Sequence, residues 1–415
     1  MSPTITLDPS RIERDLMSLA RHGAYGETGV WRTVYSPEWV AAQDQIAEWA
    51  AEAGLAVWRD AVGSVWGRLA GTGAGKSIVT GSHIDSQAPG GRYDGALGVV
   101  AALTAVRTLH EQFGQPRRTL EIVSLCEEES SRFPSASFWG SRAITGVIED
   151  GETESVIAYS GESIGQAMRD VGLDPARISD ARRDDIEHFI ELHVEQGPIL
   201  EGLDIPVGIV NAITGLRHYV VELTGRSDHA GARPMDTRRD PMEAASHIIA
   251  GAVGYARALG RPAVTTVGRM LVEPNLPAAV PDRVTFTIDS RSPIPEQHVD
   301  LQRHHEDLIR RVAAERDIDV DWRITADHQP CISDPDLVTL LERSAASQCI
   351  RALTMHSGAG HDTQRMALEC KVAMIFVRSI GGRSHTPAEY STIEDISEGI
   401  RLLTATLHEL AYSRA

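Results

Sequence analysis

The stretch Gly81–Gly95, GSHIDSQAPGGRYDG, restricts the fold of this chain more than any other. The apolar run Ile78-Val79-Thr80 leads into it and reads as a buried strand ending at the Gly81-Ser82 turn. The small apolar residues of Ala96–Phe113 follow it and read as a helix. Glycines at 90, 91 and 95 permit a tight loop between the two. His83 and Asp85 lie two positions apart, so they share a face in extended backbone. Asp85 can then hydrogen-bond the distal ring nitrogen of His83, the usual support of a metal-ligating histidine. The loop also returns Asp94 toward the strand end, at a helix start where negative charge is favoured. An ordinary turn with an N-capping aspartate would read the same way, so the other strand ends decide the matter.

Three of them repeat the pattern. Thr119–Leu125 is a buried-strand candidate that runs into Cys126-Glu127-Glu128-Glu129 and the polar loop Ser130–Pro134. Phe189–Val194 ends with His193, flanked on its own face by Glu191 and Glu195 and followed by Gln196. Val372–Val377 leads through Gly381-Gly382 to His385. An isolated acidic run is normally a solvated loop, and a lone strand histidine is normally structural. Strand carboxyl ends of open α/β sheets, however, are where sites gather. Together His83, Asp94, Glu128 or Glu129, His193 and His385 make a nitrogen and oxygen set without thiolate. Such a set suits one or two Zn²⁺, Mn²⁺, Co²⁺ or Ni²⁺ ions. Two ions need one bridging carboxylate and two further ligands each, which leaves one of the paired acids as a base.

At 415 residues the chain is long enough for more than one domain. Helical spacing covers Pro9–Ala20 and Glu38–Ala53, and Ala56–Leu69 suggests a strand pair around Gly63. Near Asn211–Gly215 the pattern shifts. Strand Leu216–Leu223, helix Pro241–Leu259, strands Ala263–Val272 and Arg283–Ser290, helix Glu296–Arg316 and strand Ile318–Ile324 follow. This β-α-β-β-α-β order is that of a ferredoxin-like split βαβ unit. The expected layout is an α/β domain formed by 1–212 and 328–415, interrupted by an inserted α+β domain at 213–327. The insert carries Asp228-His229, Asn275 and Arg291 at loops or strand ends, where binding groups concentrate. Beyond it lie helix Asp336–Cys349, the glycine loop Ser357–Asp362 with Gly360, and helix Ile393–Ala411.

A net charge of -18 argues against nucleic acid and anionic membrane surfaces as partners. No apolar run is long enough to cross a bilayer, and the polar N-terminus lacks the layout of a signal peptide. The cysteines at 126, 331, 349 and 370 show neither metal-finger spacing nor a disulfide framework, so the expected compartment is the cytoplasm.

The motifs GSHIDSQAPGGRYDG, EEESSRF, ELHVEQGP, DHAGARPMDTRRDP, SGAGHDTQ and GGRSHTPAE occur in the order found in the peptidase M20 family. The chain resembles its hydantoinase/carbamoylase branch, which includes N-carbamoyl-L-amino-acid hydrolases, β-ureidopropionases and allantoate amidohydrolases. That resemblance implies a metal-dependent exopeptidase-like domain with a mixed central sheet flanked by helices, and a lid/dimerisation role for the insert. It implies two divalent ions per subunit: His83, Asp94 and His193 on one, and the shared Asp94, Glu129 and His385 on the other. Glu128 becomes the general base and acid. Gln196, His229, Asn275, Arg291 and Gly360 become substrate contacts, with Arg291 on a carboxylate and His229 reaching the partner's site in a homodimer. The implied reaction cleaves the ureido C–N bond of an N-carbamoyl-L-amino acid or N-carbamoyl-β-amino acid. Allantoate hydrolysis and N-acyl-amino-acid deacylation are the alternatives. Ser130 and Thr363 depart from the family pattern, which has Gly and Ala at those positions.

Overall fold

The structure is a computed structural model that describes residues 4–413. These fall into two compact units, one drawn from residues 4–211, 333–355 and 361–413, the other from Ala212–Ile332 and His356–Gly360.

The first unit is built on a mixed sheet. Its strands run in the order Val207–Ile213, Lys371–Val377, Ile186–Val194, Ser77–His83, Leu120–Leu125, Val65–Leu69 and Ala56–Arg59. The four from Lys371–Val377 to Leu120–Leu125 are mutually parallel, and antiparallel strands flank them on both sides. Ser77–His83 and Leu120–Leu125 are buried at every position, as sheets covered on both faces require. Helix Ala96–Phe113 is buried from Ala96 through Leu109, and its small residues allow a close approach to the sheet. A Cβ on Gly98 would lie 2.2 Å from the carbonyl oxygen of Leu192. Helix Ile393–Tyr412 adds Ile396, Ile400, Leu403 and Leu407 to the same core.

Parallel strands bring their carboxyl ends to one edge of the sheet. His83 pairs in register with Leu125, just before the acidic run, and His193 pairs with Phe376. The chain segments carrying His83, Glu127–Glu129 and His193 therefore leave the sheet side by side.

The second unit has an antiparallel sheet in the order Val264–Thr266, Arg283–Ser292, Gly215–Thr224 and Asp319–His328. Strict alternation of burial along Arg283–Ser292 leaves one face for a core. Tyr219, Val221, Phe286 and Ile288 pack there against Ile248 of helix Pro241–Leu259 and Ile309 of helix Pro295–Glu315. The single strand expected over Ala263–Val272 is two strands, Val264–Thr266 and Met270–Glu273, both paired with Arg283–Ser292. Three residues between them face only two on the partner strand. This extra residue at a glycine is a β-bulge, which a side-chain pattern does not register. Among the described residues no helix is long and apolar enough to cross a membrane.

Candidate functional site

His83 and His193 end adjacent strands, with ring centroids 5.8 Å apart and both side chains buried. The Nδ1 of His83 lies 3.1 Å from the backbone oxygen of Asp85, and that of His193 lies 3.0 Å from the carbonyl of Val194. With Nδ1–H donated to a carbonyl, each ring turns the lone pair of Nε2 inward. The expected side-chain contact from Asp85 is looser, at 3.5 Å from Nδ1. The other oxygen, Asp85 Oδ2, accepts the backbone N–H groups of Glu128, at 3.1 Å, and Glu129, at 3.0 Å. Asp85 thus fixes the acidic loop as much as the histidine.

Asp94 does not cap the following helix. The cap position is Gly95, at φ 62°, with no side-chain cap bond. A Cβ there would sit 2.4 Å from the His83 ring, so glycine alone lets the loop come this close. The carboxylate of Asp94 instead points between two sets of histidines. Its Oδ1 is 3.1 Å from His193 Nε2 and 3.8 Å from His83 Nε2. Its Oδ2 is 3.4 Å from His385 Nε2, which is in turn 3.5 Å from Glu129 Oε2. Two candidate cation groups result, His83–Asp94–His193 and Asp94–Glu129–His385, each with its ligand atoms within 4.8 Å of one another. Glu128 Oε2 lies 3.8 Å from His83 Nε2. Gln196, at φ 59°, donates from Nε2 to Asp94 Oδ2 at 3.1 Å.

Electrostatics test whether such residues suit cations. Burial pushes the carboxyls of Glu127, Glu128 and Glu129 well above their usual range, and neighbouring acids add to it. Burial pushes Asp94 the same way, but hydrogen bonding to His193 and the charges of His193, His83 and His385 hold it well below. Glu129 Oε1 and Gln196 Oε1 are buried without a hydrogen-bond partner. A buried acid cluster with orphaned oxygens beside inward-facing imidazoles fits divalent cations.

The second unit holds the remaining expected residues. Arg291 Nε and Nη2 bind the two carboxylate oxygens of Asp289, both at 2.8 Å, and Nη1 reaches the carbonyl of Gly358 at 3.3 Å. The Nε edge of the guanidinium is therefore committed, and only its Nη1–Nη2 edge remains for a second carboxylate. Despite burial, bonds from Arg291 and His218 hold Asp289 well below the usual carboxylate range. His229 is exposed and its Nδ1 accepts from the N–H groups of Gly231 and Ala232, at 3.0 and 3.1 Å. That leaves Nε2 as the donor. Asn275 is exposed at φ 55°, and Gly360 is partly buried.

One residue of the site, His361, has no role in the reading of the sequence, and Glu191 and Glu195 appear there only as neighbours of His193. His361 is buried against His193, with ring centroids 4.7 Å apart, and forms a further group with Glu191. It sits in the glycine loop Ser357–Asp362, with no strand of its own to mark it in the sequence. Glu191 is buried, accepting from Ser82 Oγ at 2.7 Å and from Thr363 Oγ1 at 2.6 Å. Glu195 accepts the N–H of Ile199 at 2.7 Å. The two departures from the family pattern both have structural partners. Ser130 adopts φ 55°, a conformation natural to the glycine it replaces, and its hydroxyl is 2.7 Å from that of Ser137. Thr363 is fully buried on Glu191. Thr363→Val should therefore cost about 1–3 kcal/mol, since it strips a donor from a buried carboxylate. Thr363→Ser should recover most of that in urea unfolding.

A sequence profile of peptidase family M20/M25/M40 matches residues 79–409. The chain is 39% identical over 404 residues to an allantoate amidohydrolase of Escherichia coli (strain K12), covering 97% of this chain and 98% of that protein. It is 36% identical over 403 residues to an N-carbamoyl-L-amino-acid amidohydrolase of Paenarthrobacter aurescens, covering 96% and 97%. The crystal structure of an amidase of the hydantoinase/carbamoylase family from Burkholderia multivorans superposes with a TM-score of 0.91 at 32% identity, over 100% of both chains. The family match and these relatives make the chain an amidohydrolase, an enzyme that hydrolyses C–N bonds. The chain belongs to peptidase family M20/M25/M40, and its solved neighbours include hydantoinase/carbamoylase amidases.

Proposed function

We propose that the enzyme hydrolyses the ureido C–N bond of a small ureido acid, releasing the amine with CO₂ and ammonia. The observation that carries this reading is Asp94, whose two oxygens face different histidine sets while Glu128 stands beside His83. His83, Asp94 and His193 would hold one divalent ion, and Asp94, Glu129 and His385 a second, with Zn²⁺, Mn²⁺, Co²⁺ or Ni²⁺ as candidates. When bound, such ions supply Lewis-acid charge at the ureido carbonyl and make water more acidic. Glu128 takes the proton of the attacking water and delivers it to the leaving nitrogen. The carbamic acid released falls apart to CO₂ and ammonia. His229 Nε2–H, reaching across the homodimer into the site of the other subunit, stabilises the charge developing on the carbonyl oxygen, and Gln196, Asn275 and Gly360 orient the ureido group.

Both an N-carbamoyl-L-amino acid and allantoate satisfy this chemistry, because allantoate carries its ureido groups on the carbon that bears the carboxylate. Identity of 39% to an allantoate amidohydrolase against 36% to an N-carbamoyl-L-amino-acid amidohydrolase supports allantoate as the first substrate to assay. A panel of allantoate, N-carbamoyl-L-amino acids, N-carbamoyl-β-alanine and N-acetyl-amino acids tests the reading. Ammonia release from ureido substrates, with the acetyl series untouched, is expected. Turnover confined to the acetyl series would overturn it.

In the same reading Arg291 receives the substrate carboxylate on its Nη1–Nη2 edge while Asp289 orients the guanidinium. Arg291→Lys should lower kcat/KM by about 10- to 100-fold, since lysine offers neither planar edge. The loss should largely vanish for a substrate whose carboxylate is an amide; an equal loss for both places Arg291 elsewhere. The second unit also serves as lid and homodimer contact. Exposed Val264, Met270 and Leu271 on its outer strands support such a contact.

A further inference from the structure

The candidate ligands differ in what holds them. His83 and His193 belong to paired strands, and Asp85 binds the backbone N–H of Glu129. His385 lies in an irregular loop at φ 55°, half exposed. The buried side chain of Glu389, four residues on, connects that loop to the one bearing Asp94. Its Oε1 accepts the backbone N–H of Tyr93 at 3.0 Å and of Asp94 at 2.8 Å. Its Oε2 is 2.9 Å from Ser384 Oγ, the neighbour of His385, and that hydroxyl is also 3.0 Å from Asp94 Oδ2. Gly91 makes room for the contact, as a Cβ there would lie 2.5 Å from Glu389 Oε1.

We infer that Glu389 is a positioning residue that sets the separation of Asp94 and His385 and so governs affinity for the second divalent ion. The inference rests on the two-ion reading above. It assigns Glu389 no contact with substrate or ion. Two of the three ligands of the Asp94–Glu129–His385 group hang on this one carboxylate, against one of three in the other group. Removing it should therefore act unevenly on the two ions. Loss of an outer residue that orients ligands typically weakens metal affinity by about 10- to 100-fold.

Co²⁺ titration of the full chain after chelation, followed by visible absorbance and elemental analysis, reads this without any turnover. His385→Ala identifies the transition that belongs to the second ion. Glu389→Ala should weaken that transition by about 10- to 100-fold and leave the first nearly unchanged. Glu389→Gln should restore most of it, because the amide oxygen still accepts the two N–H groups and the amide nitrogen can donate to Ser384 Oγ. Should Glu389→Ala fail to fold, Ser384→Ala carries the test, with a smaller weakening of the second transition alone. Wild-type protein showing one transition that His385→Ala leaves untouched would overturn the two-ion reading, and this inference with it. Two transitions in wild type, with neither or both equally shifted in the variants, would overturn the role of Glu389 alone.

Discussion

Glu128→Gln is expected to lower kcat by about 10²–10⁴-fold while leaving bound metal unchanged. The amide keeps the size and shape of the carboxylate but cannot take a proton. Glu128, like Glu127, stands outside both candidate cation groups, and its Oε2 lies 3.8 Å from His83 Nε2. Its backbone is fixed by the bond to Asp85, so substitution of the side chain should not move the loop. Burial pushes its carboxyl up, which suits a group that must both accept and return a proton. Glu129→Gln provides the contrast. Glu129 Oε2 is 3.5 Å from His385 Nε2, so this variant should reduce cation content. Steady-state kinetics with elemental analysis of both variants settles the assignment. A Glu128→Gln enzyme with full metal and near-normal kcat removes Glu128 from the proton-transfer role.

Exhaustive chelation is expected to abolish turnover completely, and Mn²⁺, Co²⁺, Ni²⁺ or Zn²⁺ to restore it. Removal should also lower the melting temperature, because an ion that binds only the folded chain stabilises it by mass action. At a free concentration a hundredfold above Kd the gain is about 2.7 kcal/mol. The buried acids around Asp94 make this direction firm, since without cations they can relieve mutual repulsion only by taking up protons. Activity that survives in protein confirmed metal-free would overturn the assignment of these residues. Unchanged melting on cation addition would argue that the group binds none.

Much of this architecture was legible in the chain. Ser77–His83 and Leu120–Leu125 are continuous apolar runs between loops, and helix Ala96–Phe113 is small and apolar almost throughout, so local composition dictates each element. The sequence motifs also marked His83, Asp94, His193 and His385 as a possible set, because each follows a strand or a glycine loop. The bulge at residues 267–269 was not legible, since alternation in sequence does not reveal one extra residue. Nor was the pairing of Arg291 with Asp289, although the two are only two positions apart on a strand, the spacing of one face.

What the sequence determined by itself was the type and order of elements, because apolar period and glycine placement act over a few residues. Which oxygen of Asp94 faces which histidine is a different kind of fact. It depends on the parallel register that aligns His83 with Leu125, on Gly95 clearing the His83 ring, and on Glu389 joining two loops almost 300 residues apart. These contacts are long-range and sub-ångström in consequence. Only the packed tertiary structure, in which each backbone is held by several others at once, could decide them.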